Sequence, residues 1–572
     1  KGLQLMEYRG YDSAGVVLNK EEEILRLRSL GKVSKLEEIM ISEKPKAFSG
    51  IAHTRWATHG APSEENAHPH GSHDDIYIVH NGIIENHEEI RVFLKSEGYK
   101  ITSETDSELI AHLVHFYKKD TQDTLQALMK ATHELNGAYS IAAVCKKEKG
   151  KVYAARQKSP LLVGLGIEEN FVASDPLAIV NITEKFHMLE DGDFAVVTKE
   201  DVAIYNQEGA PVERDELKID ATATATTKGE YKHFMEKEIY EQPDCIGNTI
   251  NGRLGENDVL DNVFGLGSSD AFKNVKRIQF VACGTSLHAA KTARKWFEDI
   301  CEIPCYIDFA SEYRYRNPIV EDNTLFVTIS QSGETADTLA ALNYAKEEKY
   351  LGIVSICNVP TSTMARESDW KVFTNAGPEI GVASTKAFIG QMLVLFLLIL
   401  KISKDRNDID QKEFKKIIED VKKIPNLIKL TLTKQNEIQE IARDFIDAKG
   451  TMYLGRGYSY PIAMEGALKL KELSYIHAEG YAAGEMKHGP LALIEDGMPI
   501  VVLAPKDRFF EKTISNMQEV IARGGKVLMI TNDTSETLSE NIRFKFQIPD
   551  AHPNISVFML TIPIQFLAYH VA

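Results

Sequence analysis

Hydroxyl and amide side chains cluster in one short stretch, SQSGETADT, which follows an apolar run at residues 325–329. Its polar side chains are Ser330, Gln331, Ser332 and Thr335. A helical pattern follows, so the stretch is predicted to join a buried strand to a helix N-terminus, where free backbone N–H groups favour an anion. Because no Walker lysine and no G-x-G-x-x-G motif is present, a small phosphate ester is favoured over a nucleotide. The alternative is that Ser332 is only a helix N-cap.

A second turn of the same kind contains Thr285 and Ser286, in CGTS, after the apolar strand pattern IQFVA. Open parallel sheets bind ligands at the carboxyl ends of neighbouring strands. The two turns are therefore expected to form one crevice for a phosphorylated ligand.

The stretch EGALKLKELS contains a candidate base for proton transfer between adjacent carbons. Lys469 and Glu472 are three residues apart, so they share one face of the predicted helix. A carboxylate whose pKa is set by burial and a nearby cation suits aldose–ketose interconversion, although a surface ion pair is the simpler interpretation. His488, in KHGP, is a second acid or base candidate because imidazole titrates near neutral pH.

Near the start of the chain, Arg55 in HTRWATHG and Asp106 in SETDSE could bind the two charged ends of an amino acid. Asn81 and Gly82 follow the strand pattern IYIVH and could stabilise an oxyanion with an amide and a backbone N–H. Asn-Gly is also a common β-turn, and this alternative remains open. His53 and His59 are expected to be structural.

The elements that must position these residues change in type along the chain. Residues 1–215 alternate short β-rich runs with helical patches, which indicates an α+β fold with largely antiparallel sheets. The small polar residues of 220–230 are typical of a linker. From 231 onward strands, turns and long helices alternate, as in a parallel α/β sheet. Stretches 277–293 and 450–467 have the same order of elements, so this half is predicted to be duplicated, with charged helices joining the copies.

The composition excludes several classes of protein. The chain has 572 residues and a net charge of −17 without a long basic cluster, so nucleic acid is not an expected partner. The most apolar window, 387–400, is shorter than a membrane span and is predicted to be a buried helix, so no membrane partner is expected. Six scattered cysteines indicate reduced thiols and a cytoplasmic location, and neither a metal site nor a cofactor is predicted.

Long motifs in both halves resemble the isomerising glutamine:fructose-6-phosphate aminotransferases, the glucosamine-6-phosphate synthases. The motifs are EYRGYDSAG, HTRWATHG, NAHPH, HNGIIEN, SETDSE, CGTS, SQSGET, GPEIGVASTKA, EGALKLKE and AEGYAAGEMKHGP. The resemblance implies an α+β glutaminase domain of the N-terminal-nucleophile type (1–219), a linker (220–230) and two α/β sugar-isomerase (SIS) domains with parallel sheets (231–430 and 431–572). It implies that glucosamine 6-phosphate is made from glutamine and fructose 6-phosphate, with ammonia passing between the two sites.

Residue roles follow from the same resemblance. Glu472 would be the proton-transfer base beside Lys469, and His488 would open the sugar ring in the neighbouring subunit, which implies at least a homodimer. The implied glutamine and oxyanion residues are Arg9, Arg55, Trp56, Asn81, Gly82 and Asp106. The implied sugar-phosphate residues are Thr285, Ser286, Ser330, Gln331, Ser332, Thr335, Val382 and Ser384.

Two family features are not found between Lys1 and Ala572: the nucleophilic cysteine of the glutaminase and the lysine of the C-terminal tail. We therefore expect a chain trimmed at both ends. Two rival functions are a phosphosugar sensor without chemistry and another glutamine amidotransferase. The base Glu472 and the attached glutaminase half disfavour the first, and the absence of pyrophosphate and ATP loops disfavours the second.

Overall fold

The computed structural model describes residues 1–572 except 8–11, 21–22, 56–59, 220–227, 262 and 536–541. The chain divides into two units, 1–226 and 227–572. Most of the predicted linker, 220–230, therefore lies outside the described residues.

The first unit contains antiparallel sheets and a few helices, as predicted. Its strands are β1 Ser13–Asn19, β2 Ile24–Leu30, β3 Ser49–Arg55, β4 His70–Ser72, β5 Ile76–Ile84, β6 Gly137–Cys145, β7 Val152–Gln157, β8 Leu162–Leu165, β9 Asn170–Ala173, β10 Lys185–Met188, β11 Phe194–Val197, β12 Val202–Tyr205 and β13 Glu216–Lys218. Its helices are α1 Gly2–Met6, α2 Val33–Glu43, α3 His87–Ser96, α4 Ser107–Thr121 and α5 Thr124–His133. The sheets have the orders β2-β1-β3, β13-β10-β8-β9 and β12-β11-β7-β6-β5-β4.

These elements pack in layers. Leu109 and Leu113 of α4 pack on Ile78 and Ile141 of the largest sheet, because apolar side chains recur on one face of the helix. The opposite face of that sheet packs against β1 and β3, where Val17 contributes to the shared core. Apolar layers therefore cover both faces of the largest sheet.

The second unit contains two parallel sheets with the same topology. Its strands are β14 Arg277–Ala282, β15 Cys305–Phe309, β16 Thr324–Ile329, β17 Gly352–Cys357, β18 Trp370–Phe373, β19 Gly450–Gly455, β20 His477–Ala482, β21 Pro499–Leu503, β22 Lys526–Thr531 and β23 Phe544–Gln547. The strand orders are β15-β14-β16-β17-β18 and β20-β19-β21-β22-β23. The predicted duplication is confirmed.

Helices surround both sheets and connect their strands. They are α6 Phe234–Tyr240, α7 Gln242–Ile250, α8 Ser268–Phe272, α9 Gly284–Trp296, α10 Ala310–Tyr313, α11 Ala336–Glu347, α12 Thr363–Glu367, α13 Lys386–Arg406, α14 Gln411–Leu432, α15 Gln435–Ala442, α16 Ser459–Ser474, α17 Phe510–Ile521 and α18 Pro553–Val571. The strand β16 is buried along its whole length, as expected for a parallel strand covered on both faces.

Two helices, α13 and α18, are long and apolar enough to cross a membrane by length and composition alone. The apolar window 387–400 was predicted to be shorter than a membrane span, but α13 continues to Arg406 and has 21 residues. The most apolar window of α13 is completely buried inside the unit, and that of α18 is 78% buried. The prediction of a buried core helix is confirmed by this packing.

Candidate active sites

Strands β3 and β5 and the start of α4 line a cavity of about 810 Å³ in the first unit. Arg55, Asn81, Gly82 and Asp106 all contribute to its wall. The volume is in the range of small-molecule sites. The structure thus brings together four residues predicted from separate motifs, whereas Trp56 and Arg9 lie outside the described residues.

Two of the charged residues that line this cavity, Arg55 and Asp106, are buried. Arg55 is the last residue of β3 and is 4% exposed. Burial lowers the pKa of the Arg55 guanidinium, and nearby carboxylates, Asp106 among them, oppose that effect. Asp106 occupies the N-cap position of α4, and its Oδ2 accepts a hydrogen bond from the backbone N–H of Ile84 at 2.9 Å. One fixed cation and one fixed anion therefore lie on the same cavity wall.

Asn81 and Gly82 lie inside β5, so the β-turn alternative is wrong. They pair with Ser140 and Tyr139 of β6. Gly82 has φ +147°, and a Cβ added there would lie 2.0 Å from the Ala138 carbonyl oxygen. Glycine is thus required by the close approach of β6. The exposed Asn81 is presented at the cavity by a rigid strand.

The residues that fix the loop before Asp106 were not predicted from the sequence. Asn66 accepts a hydrogen bond from the Glu104 N–H at 2.9 Å and donates to the Glu104 carboxylate at 3.1 Å. The Glu108 carboxylate accepts hydrogen bonds from the Thr102 hydroxyl and the Ser103 N–H, both at 2.6 Å. These polar residues lie within or beside the motifs NAHPH and SETDSE, which was the available signal.

A cluster of histidines extends from the cavity wall, to which His53 and His68 contribute. The rings of His53 and His68 stack with centroids 4.3 Å apart, and His68 lies edge-on to His70 at 4.8 Å. Burial lowers the pKa of His53 and of His70 to about 3. These rings are therefore neutral at physiological pH, which fits the structural role expected for His53; His59 lies outside the described residues.

Among the residues that the structure describes, no cysteine lines this cavity. Cys145 is fully buried at the end of β6, where the Lys118 ammonium contacts its sulfur at 2.6 Å. In the described part of the chain, no group of three His, Cys, Asp or Glu side chains is arranged to hold a metal ion.

In the second unit, the predicted phosphate loops follow the carboxyl ends of neighbouring strands in the first parallel sheet. Strands β14 and β16 pair in register, with Ala282 opposite Ile329, and β15 lies on the other side of β14. The connections from β14 to β15 and from β15 to β16 therefore run to opposite sides of β14. Parallel sheets form a ligand crevice at such a point, here between β14 and β16. Ser286 and Ser330 follow the two strands at this point.

Residues 330–335, here called the hydroxyl loop, hold their hydroxyl groups through internal hydrogen bonds. The oxygens of Ser330 and Thr335 are 2.8 Å apart, and Ser330 also accepts from the Gly333 N–H at 3.1 Å. Thr335 occupies the N-cap position of α11, so the alternative role of Ser332 as N-cap is wrong. Instead, Ser332 accepts from the Glu334 N–H at 3.1 Å. The loop is thus preorganised around the start of a helix.

A series of polar contacts runs from the Thr285 turn to the candidate base on α16. The Thr285 hydroxyl donates to Glu465 at 3.0 Å, and Glu465 also contacts His288 Nδ1 at 2.7 Å. The Lys469 ammonium lies 3.6 Å from Glu465 and 2.7 Å from Glu472. The predicted pairing of Lys469 and Glu472 on one helix face is therefore observed, whereas Glu465 and His288 were missed because each sits within an ordinary helical pattern.

The electrostatics of this series favour a charged lysine. Lys469 is 1% exposed, and burial by itself lowers its pKa. The carboxylates of Glu465 and Glu472 outweigh burial, so the pKa of Lys469 is raised overall. Glu472 is more exposed than its partners, with 36% of its side chain accessible. A fixed cation thus lies beside a carboxylate that an incoming ligand can reach.

The remaining predicted residues lie on other segments. Val382 is 51% exposed, and Ser384 donates to the buried Glu379 carboxylate at 2.9 Å. His488 ends the 3-10 segment Ala483–His488 and is exposed. Among the described residues its imidazole makes no hydrogen bond or ion pair, so the structure does not bring it to Lys469 and Glu472 within this chain.

Family models match both units. The model described as "Glutamine amidotransferase domain" matches residues 53–181, and the model described as "SIS domain" matches 271–401 and 444–572. A curated glutamine–fructose-6-phosphate aminotransferase (isomerizing) of Pseudomonas putida is 48% identical over 574 residues, covering all of this chain and 94% of its own length. The protein of that name from Vibrio parahaemolyticus is 47% identical with the same coverage.

The chain belongs to the isomerising glutamine–fructose-6-phosphate aminotransferase family. The fold class predicted for that family, a glutamine amidotransferase domain followed by two SIS domains, is confirmed.

A solved structure supports the fold of the second unit within this family. The C-terminal domain of glucosamine-fructose-6-phosphate aminotransferase from Francisella tularensis is 46% identical, with a TM-score of 0.59. It covers 60% of this chain and 97% of its own length. A phosphosugar isomerase structure from Silicibacter pomeroyi, at 21% identity and a TM-score of 0.50, shares the fold alone.

Proposed function

We propose that this protein makes glucosamine 6-phosphate and glutamate from fructose 6-phosphate and glutamine. The proposal is supported by its family membership and carried by one geometric observation, the contacts from Thr285 through Glu465 and Lys469 to Glu472. These contacts connect a turn beside a phosphate-type loop with an accessible carboxylate, as an aldose–ketose isomerisation requires. We assign 1–219 to the glutaminase, 220–230 to a linker, and 231–430 and 431–572 to the two sugar-isomerase domains.

In the first unit, we propose that Arg55 and Asp106 bind the carboxylate and ammonium of glutamine. Both are buried on one cavity wall, where a charge-assisted hydrogen bond is stronger than in water. Asn81 and Gly82 would stabilise the oxyanion that forms when the side-chain amide is attacked. Trp56 and Arg9 are assigned to this site by family resemblance alone.

In the second unit, we propose that the hydroxyl loop, with Thr285 and Ser286, binds the phosphate group. The start of α11 supplies backbone N–H groups, and a helix N-terminus stabilises an anion. Val382 and Ser384 would contact the sugar. Glu472 would carry the proton between C1 and C2, and the Lys469 ammonium, 2.7 Å away, would hold its carboxylate in position.

A direct assay tests the function. The enzyme is incubated with fructose 6-phosphate and glutamine, and glucosamine 6-phosphate and glutamate are quantified by mass spectrometry. We expect the two products in equal amounts. Binding of fructose 6-phosphate without any product, with ammonia supplied in place of glutamine, would instead support a sensor and reject the enzyme.

We also propose that the protein acts as a homodimer in which His488 serves the partner's site. The support is that His488 is exposed and, in the described part of the chain, has no polar partner of its own. Co-expression of Glu472→Gln and His488→Gln chains separates the alternatives. If the sites are shared, mixed dimers contain one intact site and recover about a quarter of the parental activity. If each chain is self-sufficient, the mixture stays inactive.

A cytoplasmic location remains our proposal. All six cysteines are free thiols, and five of them are buried. The apolar helices α13 and α18 are largely buried within the unit.

A further inference from the structure

The segment between β18 and α13 carries Val382 and Ser384 and has no regular secondary structure. Residues 379–384 of this segment are here called the sugar segment. Because its backbone does not belong to a sheet or helix, its N–H groups need other partners when buried. The partners are two carboxyl groups that approach it from different elements.

The first carboxyl group belongs to the sugar segment itself. Glu379 is 6% exposed and accepts hydrogen bonds from the Ser384 hydroxyl and from the N–H groups of Thr385 and Ala387, each at 2.9 Å. It thereby caps α13 and fixes the end of the segment that leads into the helix. Nothing in this arrangement holds the middle of the segment.

The second carboxyl group comes from α6, more than 140 residues earlier. Glu238 is 2% exposed, and its Oε1 accepts hydrogen bonds from the N–H groups of Ile380 and Gly381 at 2.5 and 2.9 Å. A Cβ added at Gly381 would lie 2.5 Å from the other oxygen of Glu238. The carboxyl group therefore fills the space beside the segment immediately before Val382.

Burying Glu238 next to a second carboxyl group is electrostatically unfavourable. Burial and the Glu379 carboxylate raise the pKa of Glu238, although the two N–H donors and the Lys386 ammonium act in the opposite direction. The nearby Lys386 ammonium pairs with Glu241, at 2.6 Å. Because burying this carboxyl group is unfavourable, its role is better explained by the backbone geometry that it imposes than by a contribution to the stability of the fold.

We propose that Glu238 is a positioning residue for the sugar site, and that its hydrogen bonds to Ile380 and Gly381 hold Val382 and Ser384 in the orientation that binds fructose 6-phosphate. The inference rests on the proposed function, because it takes Val382 and Ser384 as sugar contacts. It adds a residue that does not touch the substrate.

The test compares three variants of the full-length enzyme. Glu238→Ala removes both acceptors, and we expect the KM for fructose 6-phosphate to rise about tenfold while kcat changes by less than about twofold. Glu238→Gln keeps an oxygen in place and should restore the KM to within about twofold. Glu236→Gln, on the same helix but bonded to Gln435 and Tyr569, is the matched control and should be silent.

A loss of stability alone would lower the active fraction and hence kcat, without raising KM. An unchanged KM in Glu238→Ala, or an equal rise in Glu236→Gln, would overturn the inference. If Glu238→Ala does not fold, Gly381→Ala displaces the same carboxyl group from the other side. Gly381→Ala should raise the KM for fructose 6-phosphate and leave the KM for glutamine unchanged. If the KM for fructose 6-phosphate does not rise, the positioning role of Glu238 is rejected.

Ser384→Ala separates this inference from the proposed function. If it raises the KM for fructose 6-phosphate and Glu238→Ala does not, the sugar contact stands and the positioning role is rejected. If Ser384→Ala has no effect either, the assignment of the sugar segment is wrong, and the positioning role is rejected with it.

Discussion

The two units of this chain form their candidate sites in different ways. In the first, Arg55 and Asp106 are buried between layers of antiparallel sheet and helix, and they line an internal cavity. In the second, Ser286 and Ser330 follow two neighbouring parallel strands, at the carboxyl end of the sheet.

This difference determines how each site depends on the rest of the fold. The carboxyl ends of parallel strands all lie on the same side of the sheet, so the loops that follow them lie close together without additional contacts. In the antiparallel unit, each polar group needs its own partners, such as the Ile84 N–H at Asp106 and the Asn66–Glu104 pair beside it. We therefore expect substitutions in one unit to leave the chemistry of the other intact.

The largest effect is expected for Glu472→Gln in the second unit. The amide keeps the shape of the side chain but cannot accept the transferred proton, so synthesis of glucosamine 6-phosphate should fall by at least about a hundredfold. The KM for glutamine and the affinity for fructose 6-phosphate should stay near the parental values. Synthesis at the parental rate would show that another group is the base.

The next effect is expected for Ser330→Ala combined with Ser332→Ala. Loss of two hydrogen bonds to a charged phosphate should cost about 2–3 kcal/mol, or roughly a hundredfold in affinity for fructose 6-phosphate measured by calorimetry. Lys506→Ala is the matched control, since Lys506 follows β21, the strand of the second sheet that corresponds to β16. An equal loss of affinity for fructose 6-phosphate in Lys506→Ala would mean that the loops after β16 and β21 do not differ in function.

A smaller effect is expected for Asp106→Asn in the first unit. The amide oxygen can still accept from the Ile84 N–H, but it no longer pairs with the ammonium group of glutamine. The KM for glutamine should rise about thirtyfold, with ammonia-dependent synthesis unchanged. A parallel loss with ammonia as the nitrogen donor would contradict the separation of the two units.

The smallest effect concerns acid stability and should distinguish the units without any substrate. The folded pKa of His53 and of His70 is about 3, below the usual 6.5, so both contribute stability that is complete above pH 6.5. As the pH falls from 6.5 toward 3, the first unit should progressively lose this stability, because the unfolded chain binds protons at these two rings that the folded unit does not. Hydrogen exchange at pH 7 and pH 5, resolved by segment, measures this loss in residues 1–226 against 227–572. His70→Gln should reduce the slope, and equal acid sensitivity in both units would contradict the prediction.

The sequence predicted the strands and helices of the second unit well because their signals are local. A buried strand, a glycine turn and a helix follow one another at β14 and at β19, and both copies fold as expected. The local signal failed at Asn81-Gly82, where turn propensity suggested a reversal and the chain instead continues as β5. Pairing along the whole of β6 outweighs the preference of a dipeptide.

The sequence by itself determined the residue types of both sites and their order along the chain. Only the tertiary structure decided which helical residues join those sites. Glu465 and Glu238 are ordinary acidic positions in the sequence, yet one is fully buried against Thr285 and the other is bonded to Ile380 and Gly381. Their partners are more than 140 residues away, and such contacts arise from packing of whole helices, which no local pattern encodes.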